Sequence, residues 1–503
     1  MAKSSTPRIF VTLAGPTLAA MEAQASGITG FQIGYEFRLD YLQDWTNFES
    51  DLHQLLTRLR GTPTIATCRR AEAGGLFHGS VSEQLERLEA ASRAGCHRVD
   101  VEIESIAKAS ILSRFRSTKA PPKIIVSYHN YSRTPPLSPI YRRLARLPAA
   151  FVKIVTHARS LRDNLRIAHL LRAHRTAGRL VAHALGPSGL PSRLLALKWG
   201  SAFTYGSSGV HLTVASGMFP AEVMRSIYRV DRLDERTAIY GVVGSRAAVS
   251  LSPIMQNAAL HAKHINATYL PCETGSLDDF LELARRLNFS GFSVTMPYKT
   301  PIIRQLDWVE PLTAEIRACN TVAVQRGKWM GWNTDAAAVV EVLAKRLRLA
   351  GSRVLVLGAG GAARAAAYAL RAEGAEVLIT ARRETAARRL ARALSAGVVA
   401  WGSTDGLDID AVINATPVGM APYVDALPTD LARLRVRVVF DMVYHPLETR
   451  FLAVARRRGL TTISGLEMLV AQGARQFEIW TGQSAPRALM EQAILQALGH
   501  SSG

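Results

Sequence analysis

Between residue 8 and about residue 230, short apolar runs alternate with helix-like segments eight times. The runs are Arg8–Leu13, Gly30–Leu39, Thr64–Cys68, Arg98–Ile103, Lys123–Tyr128, Ala150–Val155, Leu180–Leu185 and Gly200–Tyr205. Eight strand–helix alternations are the arithmetic of a (β/α)8 barrel, whose chemistry sits at the C-terminal ends of its strands. A charged stretch, Tyr228–Thr237, then precedes a new apolar run, Ala238–Val243. The expected organisation is α/β throughout: a barrel over 1–232 and a small α/β domain over 237–335. A Rossmann-type nucleotide-binding domain follows over 336–470, where Arg353–Gly358 runs into a glycine-rich turn and an alanine-rich helix. The helical stretch Ser464–Leu498 has no strands, so residues 471–503 are expected to pack back on the catalytic lobe.

Composition narrows the class. With 48% hydrophobic and 20% charged residues over 503 positions, the chain is globular and long enough for two or three cores. No apolar window reaches membrane-span length and Met1–Arg8 lacks a signal pattern, so a soluble, cytoplasmic protein without a membrane partner is expected. Cys68, Cys96, Cys272 and Cys319 form no Cys-x-x-Cys pair, which argues against zinc or a disulfide framework; no metal is expected. The formal charge of +21 raises nucleic-acid binding. Its arginines, such as Arg382, Arg383, Arg388, Arg389 and Arg456 to Arg458, instead recur along helical segments with few aromatics, as solvated faces do. The partners expected are small molecules, not nucleic acid.

Two constellations carry chemistry. In Tyr35-Glu-Phe-Arg-Leu-Asp40 the charges alternate with large apolar residues, so Glu36, Arg38 and Asp40 are expected on one strand face, pointing into the barrel. Lys153 lies between Val152 and Ile154. A desolvated lysine there suits attack on a carbonyl; a lysine that snorkels or pairs with an acid fits the same pattern. His129 follows the run ending at Tyr128, where a histidine is either a proton carrier or a hydrogen-bonded structural residue. Together with Cys68-Arg69 ahead of Gly74-Gly75, Ser127-Tyr-His-Asn130 and Ser192-Arg193, these segments resemble the type I 3-dehydroquinate dehydratases. The resemblance implies that Lys153 forms an imine with the substrate ketone and His129 shuttles the proton. It further implies that Arg193 holds the carboxylate, and that Glu36, Arg38 and Arg69 order the hydroxyls and the pocket. The chain departs from that family at Ala73, Val214 and Met218, where Glu, Ser and Gln are usual.

In the second half, Gly358-Ala-Gly-Gly-Ala-Ala363 follows a strand and opens a helix, the context of a pyrophosphate-binding turn. The next strand ends in Ala381-Arg382-Arg383 with no carboxylate for a ribose hydroxyl, which points to NADP rather than NAD. Ser250-Leu-Ser-Pro253 is either an anion receptor or an ordinary turn. Lys299 and Asp335, if held together, could protonate an oxygen that becomes an alcohol during hydride transfer. These pieces, with Cys319-Asn-Thr321, Asn333-Thr-Asp335, Asn414-Ala-Thr-Pro-Val-Gly-Met420 and Gly465-Leu-Glu-Met-Leu-Val470, resemble the shikimate dehydrogenases. The resemblance implies that Lys299 and Asp335 are catalytic and that Ser250, Ser252, Thr295, Asn320, Tyr444 and Gln472 bind substrate. Gly358, Gly360, Gly361, Ala362, Arg382, Thr416 and Gly465 then line NADP. From about residue 8 to 500 the chain resembles dehydratase–dehydrogenase fusions of the plant type, in which 3-dehydroquinate becomes 3-dehydroshikimate and then shikimate. The alternative is a dehydrogenase whose weakly active barrel serves as a scaffold or regulatory module.

Overall fold

A computed structural model describes residues 7–28, 32–59, 61–116, 121–209, 217–404 and 406–499. The chain divides into two compact units, Met1–Ile239 with Asn266–Asn288, and Tyr240–Ile265 with Phe289–Gly503.

The first unit is built on β1 (Ile9–Leu13), β2 (Gly34–Arg38), β3 (Thr64–Thr67), β4 (Arg98–Glu102), β5 (Lys123–Asn130), β6 (Phe151–His157), β7 (Leu180–Leu185) and β8 (Thr204–Ser207). Their spatial order is β7-β6-β5-β4-β3-β2-β1-β8, parallel at each join. Ala202 N donates to Leu180 O at 2.8 Å, bringing the approach to β8 against β7. The eight-run expectation therefore becomes a nearly closed barrel. Phe10, Ile65, Ile125, Val181 and Phe203 fill its floor. The Arg98 guanidinium stacks there over the rings of Phe10, Phe151 and Phe203. Such a floor keeps water out from below, and polar inward positions begin one layer higher.

Three boundaries differ from the expected ones. β2 starts at Gly34, with residues 30 and 31 outside the described set, and stops at Arg38. Asp40 is therefore not on the strand face: it sits in a single 3-10 turn, Leu39–Tyr41, where it turns back to take two bonds from Arg38, at 2.9 and 2.7 Å. β5 continues through His129 to Asn130 because β6 pairs with it that far, so His129 lies within the strand. β8 begins at Thr204, since Gly200, at φ +107°, still caps the preceding helix Leu190–Trp199.

In the chain that follows, β9 (Ala238–Gly244) precedes β10 (Ala267–Glu273), which belongs to the first unit; β11 (Phe289–Val294), β12 (Trp308–Val309), β13 (Thr321–Gln325) and β14 (Lys328–Trp332) belong to the second. In the second unit the order is β9-β11-β13-β14-β12, with β13 antiparallel to β11 and β14. A separate parallel sheet comprises β15 (Arg353–Leu357), β16 (Glu376–Thr380), β17 (Gly397–Val398), β18 (Ala411–Asn414), β19 (Val438–Asp441) and β20 (Thr461–Ile463). Its order, β17-β16-β15-β18-β19-β20, reverses between β15 and β18, and that switch point opens a crevice at the strands' carboxyl ends. The closing helices Gly465–Thr481 and Arg487–Ala497 pack on each other and on the helix Ser252–Ala262. No helix among the described residues is long and apolar enough to cross a membrane.

Candidate active sites

At the C-terminal end of the barrel, inward residues of neighbouring strands converge on Lys153. It is 4% exposed, and its ammonium lies 2.9 Å from Asp100 Oδ2, 3.3 Å from Glu36 Oε1 and 4.2 Å from the centre of the Tyr205 ring. Lys153 thus has ionic partners as well as the apolar flanks that Val152 and Ile154 suggest. Glu36 accepts from Thr12 Oγ1 and Thr67 Oγ1 at 2.8 and 2.9 Å, which fixes the carboxylate. Arg69 reaches Asp100 at 3.2 Å, Glu102 at 3.0 Å and Ser127 Oγ at 3.1 Å. Ser127 Oγ donates to Asp100 at 2.5 Å. Burial opposes ionisation of Asp100, but Arg69, Lys153, His129 and Ser127 together outweigh it and hold the carboxyl well below the usual range. Asp100 and Glu102 were not singled out in the sequence, although Arg98-Val-Asp-Val-Glu102 carries the same charge alternation as Glu36 and Arg38, and Ser127 entered only as part of the stretch Ser127-Tyr-His-Asn130, with no role of its own.

His129 lines the same cavity, stacked at 6.0 Å on Tyr131. Burial, with help from Arg69 and Lys153, pushes its pKa well below the ordinary value, so the imidazole is neutral at pH 7 and able to accept a proton. Arg193 comes not from a strand but from the helix Leu190–Trp199. It is 1% exposed, and one nitrogen donates to Tyr205 O at 3.3 Å; Nε and Nη2 have no hydrogen-bond partner among the described residues. Burial lowers its pKa to about 10. A buried guanidinium with two free donors is built to take a carboxylate. Arg38 and Met218 also line this cavity, while Ala73 sits in the 3-10 turn Ala71–Ala73 and Val214 lies outside the described residues.

In the second unit, one cavity gathers Ser250, Ser252, Thr295, Lys299, Asn320 and Asp335. Ala362, Tyr444, Gly465 and Gln472 complete it. Lys299 Nζ is 2.5 Å from Asp335 Oδ2, and Asn320 Nδ2 donates at 2.9 Å to Asp335 Oδ1. The aspartate is thereby oriented from both sides. It sits in the first turn of the helix Thr334–Ala344, whose N-cap Asn333 accepts from Ala336 N. Gln476, one turn beyond Gln472 and missed in the sequence, accepts from Ser293 Oγ at 2.7 Å and donates to Thr321 Oγ1 at 3.1 Å. The four-residue spacing of the two glutamines along one helix was the available signal.

Gly358, Gly360, Gly361 and Thr416 stand at the switch point of the parallel sheet. Gly358 has φ +119°, and a Cβ there would approach Ala415 O to 3.0 Å. Gly361 opens the helix Gly361–Ala372, and a Cβ on it would lie 3.4 Å from Lys299 Cδ. A Cβ on Gly465 would come within 2.4 Å of Val443 O. The crevice is therefore backbone-lined beside the Lys299–Asp335 pair, with helix amides available to phosphate, as a dinucleotide requires. Exposed Arg382 follows β16 with no ion pair among the described residues.

Beneath Thr416, Asn414 donates to Asp441 Oδ1 at 2.9 Å, Val443 N to the same oxygen at 3.0 Å and Thr449 Oγ1 to Oδ2 at 2.7 Å. Burial nevertheless pushes the Asp441 carboxyl up to about 6. Folding thus raises its affinity for a proton: the carboxylate costs stability above pH 6, and the cost vanishes as pH falls toward the unfolded value near 4. Asp441→Asn is expected to raise the melting temperature at pH 8, by relief of about 2 kcal/mol, and to lose that advantage by pH 4. Thermal unfolding across that range checks it; an equal gain at both pH values is the contrary result.

Comparison with known proteins finds relatives of both halves of the chain. The type I 3-dehydroquinase model matches residues 9–235, the shikimate dehydrogenase substrate-binding domain 242–322, and the shikimate 5'-dehydrogenase C-terminal domain 465–495. A chloroplastic bifunctional 3-dehydroquinate dehydratase/shikimate dehydrogenase of Arabidopsis thaliana is 33% identical over 482 residues, 91% of this chain and 79% of that protein. The chain belongs to this bifunctional family. A shikimate dehydrogenase (NADP(+)) of Moorella thermoacetica is 41% identical over 53% of this chain and 96% of its own. A crystal structure of the Thermus thermophilus shikimate 5-dehydrogenase, in complex with NADP(H) and shikimate, is 37% identical, covers 52% of this chain and all of its own, and gives a TM-score of 0.49.

Proposed function

We propose that this chain catalyses two successive reactions, dehydration of 3-dehydroquinate to 3-dehydroshikimate in the barrel and NADPH-dependent reduction of that product to shikimate in the second half. We assign 1–232 to the dehydratase, 237–335 to substrate binding, 336–470 to NADP and 471–503 to the closing helices. The observation that carries the reading is the pairing, in a member of this bifunctional family, of a buried Lys153 in a barrel cavity with a Lys299–Asp335 pair beside a glycine turn.

In the barrel, Arg193 takes the substrate carboxylate, while Arg38, Arg69 and Glu36 order the hydroxyls. Lys153 attacks the ketone carbon and water leaves, forming a protonated imine. His129 removes a proton from the adjacent carbon, the electron pair flowing toward the imine nitrogen. The resulting enamine expels hydroxide, which takes the proton back from His129 as water, and hydrolysis of the imine frees Lys153. Ala73 and Met218 reduce the contacts to substrate rather than remove the covalent step.

In the second site, Ser250, Ser252, Thr295, Asn320, Tyr444 and Gln472 hold the enone substrate against Lys299. Gly358, Gly360, Gly361, Ala362, Thr416 and Gly465 would hold NADPH, which would supply the hydride for the carbonyl carbon. Lys299 donates a proton to the oxygen and Asp335 keeps the ammonium aimed at it. Arg382 meets the 2′-phosphate. The substrates are small anions, and a net charge of +21 favours their capture. The four buried free cysteines suit a cytoplasmic location.

An assay supplying 3-dehydroquinate with and without NADPH tests the reading. Enone should accumulate without the cofactor and be consumed with it; no enone without NADPH would leave the barrel as a scaffold. Arg382→Asp is expected to weaken NADPH binding roughly tenfold or more and to narrow or reverse the preference over NADH. Equal use of NADH and NADPH by the unaltered protein would remove the role given to Arg382.

A further inference from the structure

The barrel cavity contains a second imidazole that the reaction above leaves unused. His183, at the centre of β7, is 3% exposed and lines the same cavity as Lys153, His129 and Arg193. Its Nδ1 has no hydrogen-bond partner among the described residues. The ring packs near Tyr205, at 6.2 Å between centres. A buried imidazole nitrogen without a partner is costly unless an occupant of the cavity supplies the bond.

Its surroundings define that occupant. Burial, with Arg193 and Lys153 nearby, holds the ring neutral. A neutral imidazole offers one donor and one acceptor and so can pair through either nitrogen with a hydroxyl, which both gives and takes a bond, while the buried cation Arg193 is the stronger receptor for a carboxylate. Val155 of β6 pairs beside it and Leu185 and Met218 line the same cavity, so His183 adds a neutral polar group beside Arg193, Lys153 and Tyr205. The charged groups Glu36, Arg38 and Lys153 lie on β2 and β6, Arg69 lies two residues beyond β3, and Arg193 lies on the helix Leu190–Trp199 that follows β7.

We infer that His183 is a substrate-binding residue of the barrel, hydrogen-bonded to a hydroxyl of the bound polyol carboxylate. This rests on the dehydratase reading of the barrel and adds a specificity determinant to it. The geometry supplies a hydroxyl contact on the wall where Met218 provides none, and selects a ring hydroxylated on the side facing β7. A site built around a hydrogen bond to a hydroxyl rejects an analogue lacking it, because the protein partner is then left unpaired.

The test compares the full-length protein with His183→Met, which fills the space without hydrogen bonding, and His183→Gln, which retains a donor and an acceptor. For His183→Met the KM for 3-dehydroquinate should rise tenfold or more while kcat changes less than threefold. Borohydride should still fix ligand mass on Lys153 at saturating substrate, and shikimate oxidation should be unchanged. His183→Gln should recover most of the KM. An unaltered KM in His183→Met, or an equal defect in His183→Gln, overturns the assignment while dehydration and labelling at Lys153 stand. Absence of both dehydration and label in the unaltered protein overturns the dehydratase reading itself, and the assignment with it.

Discussion

Lys153→Ala is expected to abolish dehydration of 3-dehydroquinate, a loss of roughly four orders of magnitude or more, the scale on which removal of a covalent nucleophile acts. The reason is stereochemical as well as electronic. Lys153 Nζ is held at 2.9 Å from Asp100 and 3.3 Å from Glu36, at the level of the barrel where His129 and Arg193 also open into the cavity. No other amine reaches this cavity among the described residues that line it. Borohydride added with 3-dehydroquinate or its product should fix ligand mass on the peptide containing Lys153, and Lys153→Ala should lose the label together with the activity. His129→Ala should slow the proton transfer yet leave some trapping. Shikimate oxidation by the Lys153→Ala protein should match that of the unaltered chain, which also reports that the second unit remains folded. Label on a different lysine, or robust dehydration by Lys153→Ala, is the result that the imine mechanism does not survive.

Lys299→Ala is expected to reduce turnover of shikimate oxidation by about a hundredfold or more, as loss of a positioned general acid–base group does. NADP affinity should stay nearly constant, because the glycine turn and Arg382 lie outside the Lys299–Asp335 pair. Asp335→Asn should produce a smaller loss in the same direction, since the ammonium keeps its place but loses its 2.5 Å carboxylate partner. Steady-state kinetics with separate titration of NADP distinguishes a lost proton donor from lost cofactor binding. An equal fall in 3-dehydroquinate dehydration would contradict two independent sites.

The fold was legible because both halves write their periodicity plainly. Strands buried on both sides of a barrel wall read as short apolar runs, and the glycine turn marks the parallel sheet at the strand where its order reverses. Lys153 stood out as a charge among apolar neighbours and His129 by its place at a strand end, whereas Lys299 and Asp335 are individually unremarkable and stood out only through the motifs that resemble the shikimate dehydrogenases. Asp40 was misplaced because alternation alone does not show where a strand ends; the 3-10 turn after Arg38 is set by pairing with β3, not by local pattern. Asp100 and His183 escaped notice for a related reason. His183 is one polar residue in an apolar strand and Asp100 one of three alternating charges on β4, and the significance of each depends on which strands stand opposite across the barrel. Gln476 becomes visible only when Ser293 and Thr321 are brought against its helix.

The burial of Arg193 links the stability of the barrel to any carboxylate that it binds. Two of its guanidinium nitrogens are buried without partners among the described residues, so the folded barrel carries a desolvated cation that a carboxylate would satisfy. Ligand occupancy and resistance to unfolding are then linked by mass action: a carboxylate at a hundred times its dissociation constant adds about 2.7 kcal/mol to the folded state. Opening of the barrel to proteases is then expected to fall as the concentration of such a ligand rises.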